Sequence, residues 1–421
     1  MTPLRAAALT IKGADIFAAS DSWLPEAIVR NPHAHFGRLR ERYGPVIMRD
    51  GEETDFDGFD LASLFLLDKK KPHFLVLSFD AVAEVFRKSE VFNQGYGPTF
   101  EQLFGLTIST MNAPNQRPIK TFMQKIFSRP QVETWTNDVV RPILDQLVAE
   151  MIKSGREADI VQEVLAPLPF MMICQIIGIG LDRFRDLAYV ARDLMVVANW
   201  DAAVAASNYL EELFLELIAE RRRSPQDDLI SRLVSAELED GRRLTEGEIV
   251  NFLRNLFPAG MDTTHRLMAN MTLALLQNPE KLERLRADRL AIPAAVEEAI
   301  RWEGPATLTP KLAVQDTELC GVHIPAGSAV MVSQAAANRD PARWERPTEF
   351  DPFREALPHI AFAGGAHVCL GNALARRESA MWLNTWFDHL PNMKINPSID
   401  ARDLSPLGVT LRSPPSLQVV Y

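Results

Sequence analysis

Residues 362–371 read Phe362-Ala-Gly-Gly-Ala-His-Val-Cys369-Leu-Gly371, and Asn372-Ala-Leu-Ala-Arg-Arg-Glu378 follows at once. The glycines lead into a cysteine that opens a helix. Gly364, Gly365 and Gly371 permit positive φ and close backbone approach, so the loop can turn tightly beneath a flat ligand. Cys369 then sits near the free amide groups of the helix start, which together with the helix dipole favour a thiolate over a thiol. That makes the sulfur a metal ligand. A lone cysteine cannot complete a structural zinc or iron–sulfur site, which needs several such ligands, whereas a haem iron needs one axial protein ligand. The competing reading is an isolated Cys packed as a small core residue.

Outward from this loop, the composition narrows the classes of function. Among 421 residues, 45 Lys plus Arg face 55 Asp plus Glu, a net charge of -10 that argues against nucleic acid as the main partner. Three cysteines, Cys174, Cys320 and Cys369, cannot form a disulfide framework and fit a reducing cytoplasm. Met1 to Gly13 lacks an apolar run of signal-peptide length. Leu165 to Leu181 is uncharged until its end, but Pro167, Pro169, Gln175 and two glycines interrupt it, so a buried helix is expected there and no membrane anchor.

The hydrophobic periodicity predicts a helix-dominated chain. A helical pattern runs from about Ser20 to Arg40, and Tyr43-Gly44-Pro45 breaks it before two strands, Val46 to Met48 and His73 to Ser78. Between the strands, Gly51 to Pro72 is long for a hairpin loop and reads as an exposed excursion. Residues from about Arg117 to Gln277 read almost wholly as helix, and strand-like alternation returns in Leu312 to Val314, Ser328 to Val332 and Leu417 to Val420. The class is mainly α, α+β with segregated strands.

Thr245-Glu-Gly-Glu248 is a capping box before a helical run that Asn278-Pro279 ends, on the order of 48 Å at 1.5 Å per residue. Midway lies Pro258-Ala-Gly-Met-Asp-Thr263-Thr264, a set of poor helix formers. Pro258 removes one helix bond, Gly260 leaves room, and the Thr263 hydroxyl can bond back to the Ala259 carbonyl. The expected outcome is a local groove beside a flat cofactor. Glu298-Ala-Ile-Arg301 places an acid and a base on one helix face. Glu220/Arg223, Glu239/Arg242 and Glu283/Arg286 share that spacing and read as solvated pairs.

Taken together, the Phe, Gly, His, Cys and Gly positions of 362–371 resemble the haem-binding signature of the cytochrome P-450 family, F-G-x-G-x-H-x-C-x-G, with Ala363 in place of the first Gly. Ala259-Gly-Met-Asp-Thr263 resembles the family's oxygen-activating motif. Glu298 and Arg301, followed by Asn338-Arg-Asp-Pro341 and Phe350-Asp-Pro-Phe-Arg354, resemble its structural core. The resemblance covers nearly the whole chain after residue 20, except 51–72. It implies one cytochrome P-450 domain over 1–421, β-rich near 41–80 and 305–335 with a C-terminal hairpin, and helical over about 115–300 and 370–390. Haem b (iron protoporphyrin IX) would lie between the long distal helix and the proximal cysteine loop.

The same resemblance assigns roles. Cys369 would ligate the iron, Phe362 pack near the sulfur, and His367 bond a haem propionate, with Gly365, Gly371, Ala259 and Gly260 lining the cofactor. Gln116 and Lys120 stand where the family usually has a propionate-binding His and Arg, and Lys311 where it has an Arg, which keeps the charge and loses the bidentate fork. Thr263 would donate a hydrogen bond to iron-bound dioxygen and Asp262 help relay protons. Glu298, Arg301 and Arg354 would brace the cysteine loop. Tyr96, Phe257, Met261, Ala306, Leu308 and Val409 would line an apolar substrate pocket. Lys125, Arg129, Arg376 and Arg377, with Lys120, would offer a basic face to an acidic ferredoxin, itself reduced by a ferredoxin reductase with NAD(P)H. The implied reaction is insertion of one oxygen atom of O2 into a hydrophobic small molecule, a hydroxylation. A peroxide-driven haem enzyme and a non-catalytic haem sensor are the alternatives.

Overall fold

Proline at position 32 divides the first helical stretch. Where one helix is expected over 20–40 there are two, α1 (Glu26–Arg30) and α2 (Pro32–Tyr43). Pro32 cannot donate the bond that would continue α1, and the Asn31 side chain instead caps α2 by accepting from the Ala34 N–H at 3.1 Å. The structure, a computed structural model, describes residues 24–50, 55–65, 67–195, 199–400 and 404–421; residues 20–23 of the expected helix lie outside them.

The strands of the two larger sheets come from distant parts of the sequence. They are β1 (Val46–Arg49), β2 (His73–Val76), β3 (Phe92–Gln94), β4 (Glu157–Asp159), β5 (Leu308–Ala313), β6 (Ala329–Ser333), β7 (Lys394–Ile395) and β8 (Gln418–Val420), with Thr317–Leu319 and Val322–Ile324 forming a separate hairpin. A five-stranded sheet has the order β1-β2-β6-β5-β3. Only β2 and β6 are parallel in it, with Phe74 opposite Val330. All four residues of β2 are buried, so this strand is covered on both faces. The C-terminal hairpin is in fact a three-stranded sheet, because β4 pairs with β8 from inside the stretch expected to be helical. Three residues are too few for alternation to show.

The segment after β1 corrects the expected excursion in part. Phe56, Phe59 and Leu61 are buried and pack with Phe36 and Leu39 of α2 in a second core, while Asp68 to Lys71 are exposed as expected. The Phe36 and Phe59 rings meet edge to face at 5.7 Å. Residues 51–54 and 66 of the excursion lie outside the described ones.

The helices that carry the site are α3 (Phe79–Arg87), α4 (Pro98–Phe104), α5 (Gln116–Ile126), α6 (Pro167–Ile177), α7 (Trp200–Arg223), α8 (Glu246–Leu276), α9 (Ile292–Trp302) and α10 (Asn372–His389). α8 is the axis of the molecule. Thr245 and Glu248 form the expected capping box, and 31 residues follow without a break. It packs on α6, α7, α9 and α10. Every residue from Thr264 to Leu276 is buried, which offsets the low helix propensity just before it. α6 is the buried helix expected over 165–181, and among the described residues no helix is long and apolar enough to cross a membrane.

Candidate active site

Exposure along α8 is patterned where the helix formers are poorest. Leu256, Ala259, Gly260 and Thr263 keep accessible surface, at the i, i+3, i+4, i+7 spacing of one helical stripe, while Phe257, Pro258, Met261 and Asp262 are buried. Ala259 is exposed in the middle of a helix that other helices enclose. The stripe therefore faces an internal hollow. Pro258 and the Thr263 hydroxyl, which donates to the Ala259 carbonyl at 2.9 Å, give this turn its expected local form. A hydroxyl has one proton, so Thr263, expected as a donor to dioxygen, spends that proton on Ala259 and in this conformation presents only lone pairs to the hollow.

Asp262 lies off that stripe. Its two oxygens accept from Arg266 Nε at 3.0 Å each, one turn along the same helix, and Arg266 Nη1 reaches Ser413 Oγ at 3.2 Å. The carboxylate is 1% exposed. Its neighbour Thr263 faces the hollow; Asp262 faces a buried guanidinium.

Cys369 fronts the same kind of space. Its side chain is accessible, yet burial pushes its thiol above the usual range against the opposing pull of the Gly371 N–H, Lys120, Arg376 and the Asn372 N–H. A sulfur both accessible and enclosed opens on a hollow, not on bulk solvent. The loop holding it is fixed by backbone bonds. Cys369 N–H donates to the Phe362 carbonyl at 2.9 Å, and Asn372 Nδ2 donates to the Cys369 carbonyl at 2.5 Å. α10 begins three residues after Cys369, with Gly371 as its N-cap.

The glycines divide their work differently from the expectation. Only Gly365 has positive φ, at +61°, and a Cβ there would meet the Phe86 carbonyl of α3 at 2.3 Å. Gly371 has φ −82° and no protein atom within 4 Å of a would-be Cβ. Ala363, the residue that replaces the family's glycine, is held at φ +58°, a left-handed conformation that costs an L residue about 1–2 kcal/mol. Gly260 allows α6 to approach, since its Cβ would sit 3.4 Å from Ile173.

Around His367 of the cysteine loop, two lysines are buried without a carboxylate. Lys120 Nζ donates to the Val368 carbonyl at 2.7 Å, and Lys311 Nζ to Gln94 Oε1 at 2.8 Å. Burial lowers both, Lys311 to about 8, and no acid pairs with either among the described residues. Gln116 Nε2 donates to the Ala366 carbonyl at 2.9 Å. His367 is held near 4 by burial and by Lys311 and Lys120, and its buried Nδ1 has no partner. Two desolvated cations around an unsatisfied ring nitrogen make a site for a dianion. An accessible sulfur, a small-residue helix stripe and an anion cage fit an iron porphyrin with two propionates.

Glu298, Arg301 and Arg354 come together as expected. Glu298 receives Arg301 at 2.7 and 2.8 Å and Arg354 at 3.3 Å. The two arginines also donate to the carbonyls of Asn338, Pro347, Glu349, Glu345 and Arg346. Asn338 in turn accepts from the Ile360 N–H at 2.9 Å, two residues before the cysteine loop begins. Of the three surface pairs with this spacing, only Glu283/Arg286 forms, at 2.6 Å; Glu220 meets Arg221 and Arg242 meets Glu248.

A family model described as Cytochrome P-450 matches residues 181–415. Cytochrome P-450 107B1 of Saccharopolyspora erythraea is 34% identical over 307 residues, 72% of this chain and 74% of its own. Nocardicin C N-oxygenase of Nocardia uniformis subsp. tsuyamanensis is 34% identical over 322 residues, 74% of this chain and 78% of its own. The chain belongs to the cytochrome P-450 family. Its fold matches CYP109E1 from Bacillus megaterium in complex with testosterone with a TM-score of 0.80 and 26% identity, covering 93% of this chain and 99% of that one. As a cytochrome P-450 it is a haem-iron monooxygenase that uses O2 and a small-molecule substrate.

Within this cytochrome P-450, the expected pocket set divides. Tyr96 and Ala306 retain accessible surface, and Tyr96 stacks on Phe100 at 4.6 Å. Phe257 and Met261 point away from the hollow, Phe257 meeting Phe170 of α6 edge to face at 5.6 Å. Leu308 and Val409 belong to the second core with Phe36 and Phe59. Helical phase accounts for the first pair, since 257 and 261 lie roughly a third of a turn from the accessible stripe.

The expected basic face also divides. Arg129 and Arg377 are exposed, and Lys125 is exposed but paired with Glu239 at 2.9 Å. Lys120 is buried, and Arg376 is committed to Glu297 at 2.5 and 3.0 Å. Sequence reasoning missed Gln94, Asn372, Glu297 and Glu378. Glu378 is fully buried with neither oxygen hydrogen-bonded, and burial pushes it up to about 8. Its signal was present: it shares the apolar stripe Leu374, Ala375, Trp382 and Trp386 of α10.

Proposed function

We propose that this cytochrome P-450 hydroxylates a hydrophobic small organic molecule in the cytoplasm, with electrons from NAD(P)H delivered through a ferredoxin reductase and a ferredoxin. Haem b would be held by Cys369, with its propionates toward Lys120, Lys311, His367 and Gln116 and its distal face toward Ala259, Gly260 and Thr263. That group supplies reductive activation of O2. The observation that carries the reading is the accessible sulfur of Cys369, enclosed by protein beside the buried, acid-free Lys120, with a second such lysine, Lys311, near His367 of the same loop.

The chain's own residues do the rest. The bonds to the Phe362 and Cys369 carbonyls fix the sulfur, and Thr263 holds a hydrogen-bonding oxygen over the hollow. Tyr96, whose hydroxyl burial raises above its usual range, and Phe100 supply an aromatic wall that excludes water. Relatives fit an apolar substrate: one is named 6-deoxyerythronolide B hydroxylase, another methyl-branched lipid omega-hydroxylase.

The test is a comparison of oxidants on the purified holoprotein. A thiolate-type spectrum of the reduced carbonyl adduct is expected, and substrate-dependent NAD(P)H consumption with a ferredoxin system should exceed turnover with hydrogen peroxide. A histidine-type adduct would overturn the haem assignment. Faster turnover with peroxide would replace the ferredoxin route by a peroxygenase, and ligand-dependent spectra without NAD(P)H consumption would leave a sensor.

A further inference from the structure

Arg376 was expected on a docking surface, and its contacts point inward. The guanidinium lies over the Phe362 ring, 4.6 Å from the centroid. Nε and Nη2 make a fork to Glu297 of α9 at 2.5 and 3.0 Å. Nη1 donates to the Asn372 carbonyl at 3.2 Å and to Asn372 Oδ1 at 2.9 Å. The Asn372 amide then donates to the Cys369 carbonyl. One side chain thus holds both ends of the cysteine loop, Phe362 by stacking and Cys369 through one amide.

Glu297 is also approached from a third direction. His359 Nδ1 accepts from the Ala361 N–H at 3.3 Å, and Nε2 lies 3.2 Å from Glu297 Oε2 without an aligned hydrogen bond. Burial acts to raise Glu297, but His359 and Arg376 outweigh it and hold the carboxyl at about 2. A fixed cation near the sulfur is therefore balanced by a fixed anion behind it. About a third of each side chain is exposed, so solvent screens both and the net effect is moderate.

We infer that Arg376 is a positioning residue of the cysteine loop, not a docking cation, and that its charge, set against Glu297, tunes how strongly the Cys369 sulfur donates electrons. This rests on Cys369 binding haem iron, as proposed above. A positive charge near the sulfur favours the reduced iron, which carries one electron more. Removing the cation and removing the anion must then shift the couple in opposite directions.

The experiment is a redox titration of the holoproteins without any partner protein. Arg376→Met should lower the ferrous-to-ferric ratio at a fixed potential roughly threefold to tenfold, the latter 59 mV for a one-electron couple. Glu297→Gln should raise it by a similar factor. Arg376→Lys should return it most of the way to wild type, since it restores charge without the fork. If Arg376→Met retains no haem, the sign of Glu297→Gln alone decides. Unchanged potentials or shifts of the same sign would each overturn the inference. Failure of the haem reading would show separately, as a wild-type carbonyl adduct without thiolate character.

Discussion

The two walls of the hollow are built on opposite plans. The cysteine wall is over-determined: Cys369, Phe362, Asn372, Gly365 and Ala363 are fixed by backbone bonds, close contacts and two left-handed residues. The α8 wall is bare, a stripe of Leu256, Ala259, Gly260 and Thr263 whose single side-chain hydrogen bond there stays within the helix. A metal ligand must be held to a fraction of an ångström, whereas a wall that admits a small apolar molecule needs shape and little else. Rigidity lies on the wall that carries the proposed iron ligand.

Substitutions across the two walls should separate them. Cys369→Ala is expected to have the largest effect, complete loss of the thiolate-type carbonyl spectrum; retention of that spectrum would leave the cysteine wall without a purpose. Arg301→Met should come next. It leaves Glu298 as a buried, half-compensated charge and frees carbonyls of 338–349, and a loss of about 3–5 kcal/mol in denaturant unfolding is expected.

Glu378 gives the pH-dependent case. Its carboxyl is raised in the folded protein to about 8, so the stability of the neutral form is fully present below pH 4.5 and is lost as pH rises toward 8. Glu378→Gln should remove this slope and stabilise the protein at pH 8 by about 1–3 kcal/mol, measured as unfolding free energy against pH. Equal slopes in both proteins would mean that the carboxyl finds a partner in solution. Ala363→Gly should stabilise the cysteine wall by about 1 kcal/mol through relief of its positive φ. Thr263→Ala should be the smallest, about 0.5 kcal/mol or less in stability, because its hydroxyl bonds only its own helix. A larger cost would show that the α8 wall is less bare than its contacts indicate.

Much of the site was legible because its residues are close in sequence. The capping box of α8, the Thr263 back-bond and the Glu298/Arg301 pair all rest on i, i+3 or i+4 geometry, which spacing reveals directly. Pairs across elements were not. Arg376 finds Glu297 from 79 positions away and Lys311 finds Gln94 from 217, and neither partner carries a local signal. The pocket was misassigned at Phe257 and Met261 because membership of α8 was clear while its rotation was not. A helix's phase is set by what packs on it, here Phe170 of α6 against Phe257.

By itself, the amino-acid sequence determined the helix-rich class, the long capped helix, the family and the cysteine that could hold iron. These follow from local rules: period, caps, glycine placement and ligand chemistry. Only the tertiary structure decided which stripe of α8 meets the hollow, that Phe56 and Phe59 fill a core, that Asp262 answers to Arg266, and that Arg376 faces inward. Each depends on which distant surfaces are in contact, and burial and pairing between remote segments are properties of the packed chain, not of any window along it.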